Sequence, residues 1–261
     1  PDLNVFRNVN MINPQKTGAD DNGHGTHVAG TIGALDNANG VVGMAPGARL
    51  WAVKVLNANG SGFMSDIIEG VDYVTANAAS IEVANMSLGC DNCSSAALAT
   101  AIRNSVAKGV VYVVAAGNSS LNAANSVPAN HPDVLAVSAI ADFDGLPGGS
   151  AAATCRSDVD DTFADFSNYG AVVDIAAPGV CIRSTWTGGG YSTISGTSMA
   201  SPHVPGAVAL YLSARAKPTD AAGVAAVRLA LTAAATAQSA TGGFTGDPDS
   251  FAEPLLNVQT F

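Results

Sequence analysis

The sequence has little charge and no long apolar run. Of its 261 residues only 12% are Asp, Glu, Lys or Arg, whereas 48% are hydrophobic. This composition can fill a sizeable core and is not that of a disordered chain. No uninterrupted apolar segment is long enough to cross a bilayer, because Arg215 and Arg228 interrupt the two Ala-rich runs near the C terminus. We therefore predict a globular chain with no membrane partner.

Positive charge is scarce as well. Lys and Arg number 11 against 21 Asp and Glu, so the formal net charge is -10 at pH 7, with no run of like charges. Nucleic acids are therefore not expected as partners. The sequence starts at Pro1 without an initiator methionine or a signal-peptide pattern. From this start we expect a processed product or a fragment.

Cysteines are few, and their even number allows three disulfide pairings. They are Cys90, Cys93, Cys155 and Cys181. We favour the pairs Cys90–Cys93 and Cys155–Cys181, which imply an oxidising compartment.

A zinc site is the alternative for the first of these pairs. Cys90 and Cys93 have the spacing of zinc ligands, and His24 and His27 could add two nitrogens. The histidine pair lacks the usual Cys2His2 order and spacing, so we prefer disulfides.

Segments with strand-like patterns alternate with segments of helical periodicity along the chain. The predicted strands are 49–56, 82–88, 110–115, 134–139 and 172–175, and the predicted helices are 24–34, 65–79, 94–108 and 219–235, with one more beginning near 198. This alternation indicates parallel β-α-β units. We find no internal repeat and no linker, so we expect one α/β domain over residues 1–261. Its predicted architecture is a three-layer αβα sandwich around a mainly parallel, doubly wound central sheet.

Four further predictions concern loops and ends. Residues 1–23 are polar and predicted to be irregular, and residues 142–161 form a Gly/Asp-rich loop that Cys155 would fasten. Thr219 is the predicted cap of the last helix. The tail 255–258 is predicted to add a strand.

Ser198 lies where a helix is predicted to begin, within SGTSMASPHVPG (Ser195–Gly206). Backbone N–H groups at a helix start lack intrahelical partners, and the helix dipole there is positive. Such a place suits a nucleophile whose attack creates an oxyanion. The alternative is that Ser198 only caps the helix.

A serine nucleophile needs a nearby base, which is most often an imidazole. The chain offers four histidines. His203 shares a predicted helix with Ser198 and points away from it, His131 lies in a predicted loop, and His27 is one turn into the first helix. We therefore expect His24, at the start of that helix, to be the base.

Two short segments follow predicted strands at the edge of the sheet where sites gather in doubly wound folds. They are Ser87–Gly89 and Ala116–Asn118. We expect this edge to meet the helix starts at His24 and Ser198.

Three segments resemble the His, oxyanion-Asn and Ser motifs of the subtilisin-like serine peptidases, in the order of that family. They are NGHGTHVAG (Asn22–Gly30), AAGN (Ala115–Asn118) and GTSMASPH (Gly196–His203). The resemblance implies a secreted serine endopeptidase that works as a monomer. Ser198 would be the acylating nucleophile, His24 the general base and then acid, and Asn118 an oxyanion donor beside the Ser198 backbone N–H.

The resemblance also implies how a protein or peptide substrate binds. Ser87, Leu88 and Gly89 would pair with an extended peptide as an added strand, Gly62 and Phe63 would flank its other side, and Ala115, Ala116 and Gly117 would form the floor of the pocket. With Leu88 and Ala116 in that pocket and no clear acidic residue at its base, we expect large apolar side chains before the scissile bond. Asp91 lies close enough to compete with this expectation.

Two structural Ca²⁺ sites are implied by analogy, since their ligands are hard oxygen donors. The first comprises Asp2, Leu35, Asn37, Asn39 and Val41. The second, similar to a site of the proteinase K-like branch, comprises Asp174 with the carbonyl groups of Pro132 and Val134.

The sequence departs from the family at the third triad residue. In the family this is an Asp on the first sheet strand, shortly before the segment that Pro1–Leu3 matches, and the strand and the helix preceding it have no counterpart here. Asp20 and Asp21 immediately precede His24 and are not convincing substitutes. The alternatives are a shortened sequence, a nicked enzyme that retains its N-terminal fragment, and a nearly inactive homologue. We favour the first two, because losing a core strand is expected to unfold the domain.

The sequence also allows two alternative functions. Gly196–Ala200 resembles the nucleophile elbow of an α/β-hydrolase esterase, but that fold needs its acid and then its histidine after the serine, and only His203 follows. The other rival is a catalytically impaired peptidase fold that binds an extended peptide without cutting it.

Overall fold

The computed structural model describes residues 2–261. The strands are β1 (Val5–Asn10), β2 (Leu50–Lys54), β3 (Val83–Met86), β4 (Cys90–Asp91), β5 (Val111–Ala115), β6 (Ser126–Val127), β7 (Val134–Ala141), β8 (Thr162–Phe163), β9 (Ile175–Pro178), β10 (Ile182–Thr185) and β11 (Tyr191–Ile194). The helices are α1 (His24–Gly33), α2 (Met64–Ala76), α3 (Ala96–Val106), α4 (Thr197–Ala200), α5 (His203–Ser213) and α6 (Ala221–Ala234). No helix among these residues is long and apolar enough to span a membrane.

The central sheet has β3, β5, β7 and β9 in that order, all parallel, and β8 joins β7 antiparallel. Every residue of β5 and β7 is buried. Parallel sheets need this cover on both faces, which explains why β5 and β7 are apolar apart from Tyr112 and Ser138. The predicted mainly parallel sheet and α/β fold are therefore confirmed.

Helices cover the sheet and share one core with it. Helix α3 contacts β5, α4 and α5 contact β9, and α6 contacts β5. Their apolar faces contribute Leu98, Ile102, Val208 and Leu231 to the same cluster as Val113 and Leu135 of the sheet. Helix α1 packs against α4 and α5.

A second, separate pair of parallel strands is formed by β1 and β2. The prediction that residues 1–23 are irregular was therefore wrong for β1, whose first four residues are exposed and carry no buried apolar pattern. Among residues 2–261, β2 pairs only with β1, and β3 pairs only with β5. The two strand groups thus each keep an unpaired edge.

Several local predictions need correction. Asp220, not Thr219, caps α6, because its carboxylate accepts from the Gly223 N–H at 2.8 Å. The tail 255–258 forms only isolated bridges at Leu255. The strand predicted at 172–175 begins only at Ile175 and runs to Pro178. The helix expected from Ser198 is two helices separated by Ser201 and Pro202.

Both predicted disulfides are present in the structure, Cys90–Cys93 and Cys155–Cys181. No cysteine thiolate is therefore left as a zinc ligand, which removes the zinc alternative. The second bond fastens the loop 142–161 to the segment just before β10.

Candidate active site

Ser198 lies in the first turn of α4, where backbone N–H groups have no intrahelical acceptor. Its Oγ donates to the Ser87 carbonyl at 3.3 Å, and the Ser87 Oγ donates to the Ser198 carbonyl at 2.9 Å. Ser87 directly follows β3. The nucleophile candidate is therefore tied to the carboxyl end of a central strand, as predicted for this sheet edge.

A series of side-chain hydrogen bonds strengthens the link between Ser198 and β3. This series was not identified from the sequence. Ser201 Oγ donates to Asn85 Oδ1 at 2.7 Å, and Asn85 Nδ2 donates to Ser87 Oγ at 2.9 Å. Because Ser87 in turn donates to the Ser198 carbonyl, the series fixes α4 against β3. It holds the backbone of Ser198, a residue that is half-buried.

Asn118 is oriented by Thr197. Its Oδ1 accepts from the Thr197 backbone N–H at 2.8 Å and from the Thr197 hydroxyl at 2.9 Å. With the amide oxygen so engaged, Nδ2 is free to donate elsewhere. The Asn118 side chain is therefore fixed against the residue that precedes Ser198, and Asn118 and Ser198 line the same cavity.

His24 begins α1 and is half-buried. The preceding Gly23 has φ 110°, and a Cβ there would lie 2.3 Å from the Trp186 ring, so the tight entry into α1 requires glycine. Burial lowers the pKa of His24, and the negative charge of Asp20 opposes this only in part. The imidazole is therefore neutral at neutral pH, which is the form that accepts a proton.

The carboxylate of Asp20 accepts hydrogen bonds from groups at the start of α1. It accepts from the N–H groups of Asn22 and Gly23, both at 2.9 Å, and from the Thr26 N–H and hydroxyl at 2.7 and 2.6 Å. Burial opposes its ionisation, but these hydrogen bonds hold the pKa of Asp20 below its usual value. Asp20 serves the helix start. Among residues 2–261 no carboxylate is hydrogen-bonded to the His24 ring, and that ring makes no hydrogen bond to Ser198.

The other histidines are engaged elsewhere. His27 is fully buried, and its Nε2 bonds the Ile182 carbonyl at 2.9 Å. His131 is buried against the Ala99 carbonyl, and His203 Nδ1 faces the Ala200 carbonyl. Of the four imidazoles, His24 is the one whose ring has no such partner among the described residues.

A cavity of about 210 Å³ opens beside Ser198. It is lined by Leu88, Gly89, Asp91, Ala115, Ala116, Gly117, Asn118, Ser119, Ser126, Val127, Thr197 and Ser198. Most of the predicted substrate residues therefore surround one cavity. Ser87, Gly62 and Phe63 do not line it, and Phe63 is 78% exposed.

Asn168 supports the wall of this cavity and was missed in the sequence. It is fully buried, and its Nδ2 donates to the Ala116 carbonyl at 3.0 Å and to Asp91 Oδ1 at 3.1 Å. A Cβ at Gly117, which has φ 112°, would lie 2.2 Å from that nitrogen. Glycine at 117 therefore lets the chain pass directly over Asn168.

Asp91 is an acidic residue in the cavity wall. Ser119 and Ser126 each donate a hydroxyl to it at 2.5 Å, in addition to the Asn168 amide. Burial opposes its ionisation, yet these three hydrogen bonds hold the pKa of Asp91 below its usual value. The carboxylate is ionised, and both of its oxygens already have protein donors.

The first predicted calcium set is assembled around Asp2. Asn37 Nδ2 donates to Asp2 Oδ1 and the Tyr191 hydroxyl to Asp2 Oδ2, both at 2.9 Å. The Leu35 N–H donates to the Asp2 carbonyl at 3.0 Å. The loop 35–41 thus meets Asp2, but the Asn37 amide presents its nitrogen to the carboxylate, so Ca²⁺ fits this set only if that amide turns its oxygen inward.

The second predicted set already holds a positive charge. Arg228 donates to the Pro132 carbonyl at 2.7 Å and to Asp174 Oδ1 at 3.2 Å. The other Asp174 oxygen accepts from the Ala136 N–H at 2.8 Å. A Ca²⁺ ion fits this set only if the guanidinium of Arg228 moves away.

Comparison with known proteins gives one consistent result. The model of the subtilase family matches residues 2–250. Subtilisin DY of Bacillus licheniformis is 40% identical over 261 residues, covering 99% of this chain and 84% of that protein. Subtilisin Savinase of Lederbergia lenta is 43% identical over 210 residues, covering 80% of this chain and 70% of that protein. A crystal structure of a cold adapted subtilisin-like serine proteinase superposes with a TM-score of 0.79 at 36% identity, covering 99% of this chain and 82% of that one.

Proposed function

Because the chain belongs to the subtilase family of serine endopeptidases, we propose that it hydrolyses peptide bonds of protein substrates through an acyl-enzyme on Ser198. The observation that carries this proposal is that Ser198, in the first turn of α4, and Asn118, held against Thr197, line one cavity. We assign Ser198 N and Asn118 Nδ2 as the two N–H donors to the oxyanion. The test is incubation with unlabelled peptides and mass spectrometry of the products. Two new termini at one internal bond support the proposal, and intact bound peptide supports the impaired, peptide-binding alternative.

The reaction is assigned to three groups. Ser198 Oγ attacks the scissile carbonyl carbon while His24 takes its proton, and the carbonyl oxygen becomes an oxyanion held by the two N–H donors. The tetrahedral species collapses to an ester on Ser198 as His24 gives the proton to the leaving amine. Water then attacks the ester by the same route, which releases the second product and restores the serine.

Replacing Asn118 with alanine is expected to lower kcat by about 10²–10³, the cost measured for the equivalent change in subtilisin, a member of this family. KM should change little, because the amide serves the oxyanion rather than the bound peptide. Thr197→Val removes the hydroxyl that orients Asn118 and should give a smaller loss in kcat. Steady-state kinetics on one peptide substrate measure both. Asp72→Asn, far from the site, is the control variant. If it lost as much kcat as Asn118→Ala, again with KM unchanged, the role given to Asn118 would be contradicted.

We further propose that an additional strand carrying a carboxylate completes the site. β2 and β3 each have an unpaired edge, and both are largely half-buried, unlike the fully buried β5 and β7. A strand between them would cover apolar residues such as Trp51 and Val83 and would supply the group that orients His24. An N-terminal segment of the same protein, covalently joined or retained as a fragment, is the proposed source.

For specificity we propose a preference for a large apolar side chain before the scissile bond. Leu88, Ala115, Ala116 and Val127 line the cavity, and the three donors on Asp91 reduce its attraction for a cation. In a peptide series varied at that one position, kcat/KM for Leu or Phe should exceed that for Ala about ten- to a hundredfold, since burying such a side chain is worth about 1.5–3 kcal/mol. Preference for Lys that disappears in Asp91→Asn would instead make Asp91 the specificity residue.

We propose that Ca²⁺ stabilises the protein at the Asp2 loop. In a Ser198→Ala background, which prevents self-digestion, excess EDTA is expected to lower Tm by about 5–10 °C, because a ligand at 100 times its Kd adds about 2.7 kcal/mol. Asp2→Asn should remove most of that calcium-dependent shift, and Asp72→Asn, an exposed control, should keep it. Calorimetry decides, and identical curves with and without EDTA would refute the calcium proposal. We extend the proposal to Asp174, where a Ca²⁺ ion would have to displace the guanidinium of Arg228.

The proposed location is outside the cell. Two disulfides require an oxidising compartment, and an endopeptidase of broad action is compatible with secretion. The proposed working form is a monomer whose partners are substrates and its own N-terminal segment or propeptide.

A further inference from the structure

The indole of Trp186 lies against the start of α1. A Cβ built on Gly23 would lie 2.3 Å from both Cε2 and Cζ2 of the indole and 2.8 Å from its Cη2. The backbone of Gly23 is therefore in contact with the six-membered ring, and no side chain fits between them. Since Gly23 directly precedes His24, the indole sets the place at which the chain enters α1.

The same indole meets the other end of the first turn of α1. The rings of Trp186 and His27 lie edge to face, with centroids 6.1 Å apart and an interplanar angle of 79°. The His27 N–H donates to the Gly23 carbonyl at 3.0 Å, and this hydrogen bond closes the turn. Trp186 thus contacts both ends of the turn that carries His24.

Two hydroxyl groups of β10, the strand that precedes the indole, hold the backbone of this turn. Ser184 Oγ donates to the His27 carbonyl at 2.7 Å, and Thr185 Oγ1 donates to the Thr26 carbonyl at 2.8 Å. A Cβ built on Gly30 would lie 2.3 Å from each of these hydroxyl oxygens, so glycine is needed for the close approach of α1 to β10. The first two turns of α1 are therefore docked on β10.

The hairpin of β10 and β11 also leads into the Ser198 segment. The Trp186 N–H donates to the Gly190 carbonyl at 2.7 Å, which closes the loop between the two strands. β11 pairs with β10 along its whole length, and α4 follows it in the chain. One hairpin therefore contacts the turn that carries His24 and continues into the helix that carries Ser198.

We propose that Trp186 is a positioning residue that holds the first turn of α1, so that the His24 imidazole keeps a fixed place relative to Ser198. This inference rests on the peptidase function proposed above. Among residues 2–261 no hydrogen bond holds the His24 ring, so its place depends on the packing of the backbone that carries it. Trp186 acts through that backbone and takes no part in the proton transfer.

A purely structural role is the alternative for Trp186, because a packed aromatic ring contributes to stability wherever it lies. The chain has one other tryptophan, Trp51, which offers a matched comparison. It is half-buried like Trp186, but its ring packs against those of Phe6 and Tyr73. Loss of either indole is expected to lower Tm, whereas only loss of Trp186 is expected to slow the reaction of the folded protein.

The test measures how fast a fluorophosphonate modifies Ser198 in the full chain, over a range of reagent concentrations. A displacement of about 1 Å can cost about 10²-fold in rate. Trp186→Ala is therefore expected to lower the maximal rate constant about ten- to a hundredfold, with little change in the reagent concentration that gives half of it. Trp186→Phe keeps a six-membered ring and should recover most of the rate, and Trp51→Ala should match the parent.

The pH dependence of the same reaction gives a second readout. Burial lowers the pKa of His24, and the charge of Asp20 opposes this only in part. A loosened turn exposes the ring, so the pH midpoint in Trp186→Ala is expected to rise toward about 6.5, the ordinary value for histidine. Asp20 and His27, the charged and titratable neighbours of His24, are the same in every variant. An NMR titration of the His24 ring measures this shift without any reaction at Ser198.

Equal rates and pH midpoints in Trp186→Ala and the parent overturn the proposal, and so do equal losses of rate in Trp186→Ala and Trp51→Ala. If the parent itself is not labelled, the peptidase proposal fails, and the NMR titration decides about Trp186. A raised pKa of His24 in Trp186→Ala then supports the positioning role, and an unchanged one overturns it. Should Trp186→Ala fail to fold, Trp186→Leu, which keeps apolar volume without a flat ring, takes its place with the same expected results.

Discussion

Replacing Ser198 with alanine is expected to lower kcat by about 10⁶ once the completing strand and its aspartate are supplied. The figure is that measured for loss of the serine in subtilisin, a member of this family, and follows because no acyl-enzyme can form without the hydroxyl. Binding should persist, since Leu88, Ala116 and the rest of the cavity are unchanged. The measurement is kcat on a peptide substrate together with the Kd of that peptide.

The matched control for this change is Ser201→Ala, three residues later and directly after the end of α4. It removes a hydroxyl bonded to Asn85 but leaves the nucleophile, so its effect on kcat should be far smaller. Comparable losses for the two serines would contradict the role given to Ser198.

Adding the N-terminal strand with its aspartate is expected to raise kcat by about 3 × 10⁴ over the same strand carrying asparagine. This is the cost of losing that aspartate in subtilisin. The physical reason lies at His24: its pKa is lowered by burial, and no carboxylate among residues 2–261 is hydrogen-bonded to its ring. An aspartate would fix the tautomer and stabilise the imidazolium that forms during attack.

The strand that carries asparagine distinguishes the effect of the aspartate charge on kcat from the effect of the added strand on stability. It should pair with the free edges of β2 and β3 and raise Tm as the aspartate version does, while leaving kcat low. If the two versions give the same kcat, His24 does not depend on a third triad residue, and the reading of the sequence as an incomplete triad is wrong.

Much of the fold could be predicted because buried parallel strands leave a plain pattern. The runs at Val111–Ala115 and Val134–Ala141 are apolar apart from Tyr112 and Ser138, and α3, which has one apolar face, lies between β3 and β5. The strand β1 could not be predicted in this way. Its residues are mostly exposed, and its partner β2 lies more than 40 residues away, so nothing local marks it.

The site was predictable where it rests on local motifs and not where it rests on distant contacts. Ser198, His24 and Asn118 lie in short characteristic segments. Asn168 bonds Ala116 across 52 positions and Arg228 bonds Asp174 across 54, and no spacing rule reveals such pairs. The role of Asp91 likewise depends on three donors that only the folded chain brings to it.

The central claim is that Ser198 is a nucleophile activated by His24. A fluorophosphonate reagent reacts with such a serine, and peptide mapping of the labelled chain identifies the modified residue. We predict one label per chain, on Ser198, with labelling greatly slowed in His24→Ala. Labelling at other serines, or tight peptide binding with no label on Ser198, would contradict the claim and leave a peptide-binding protein with a peptidase fold.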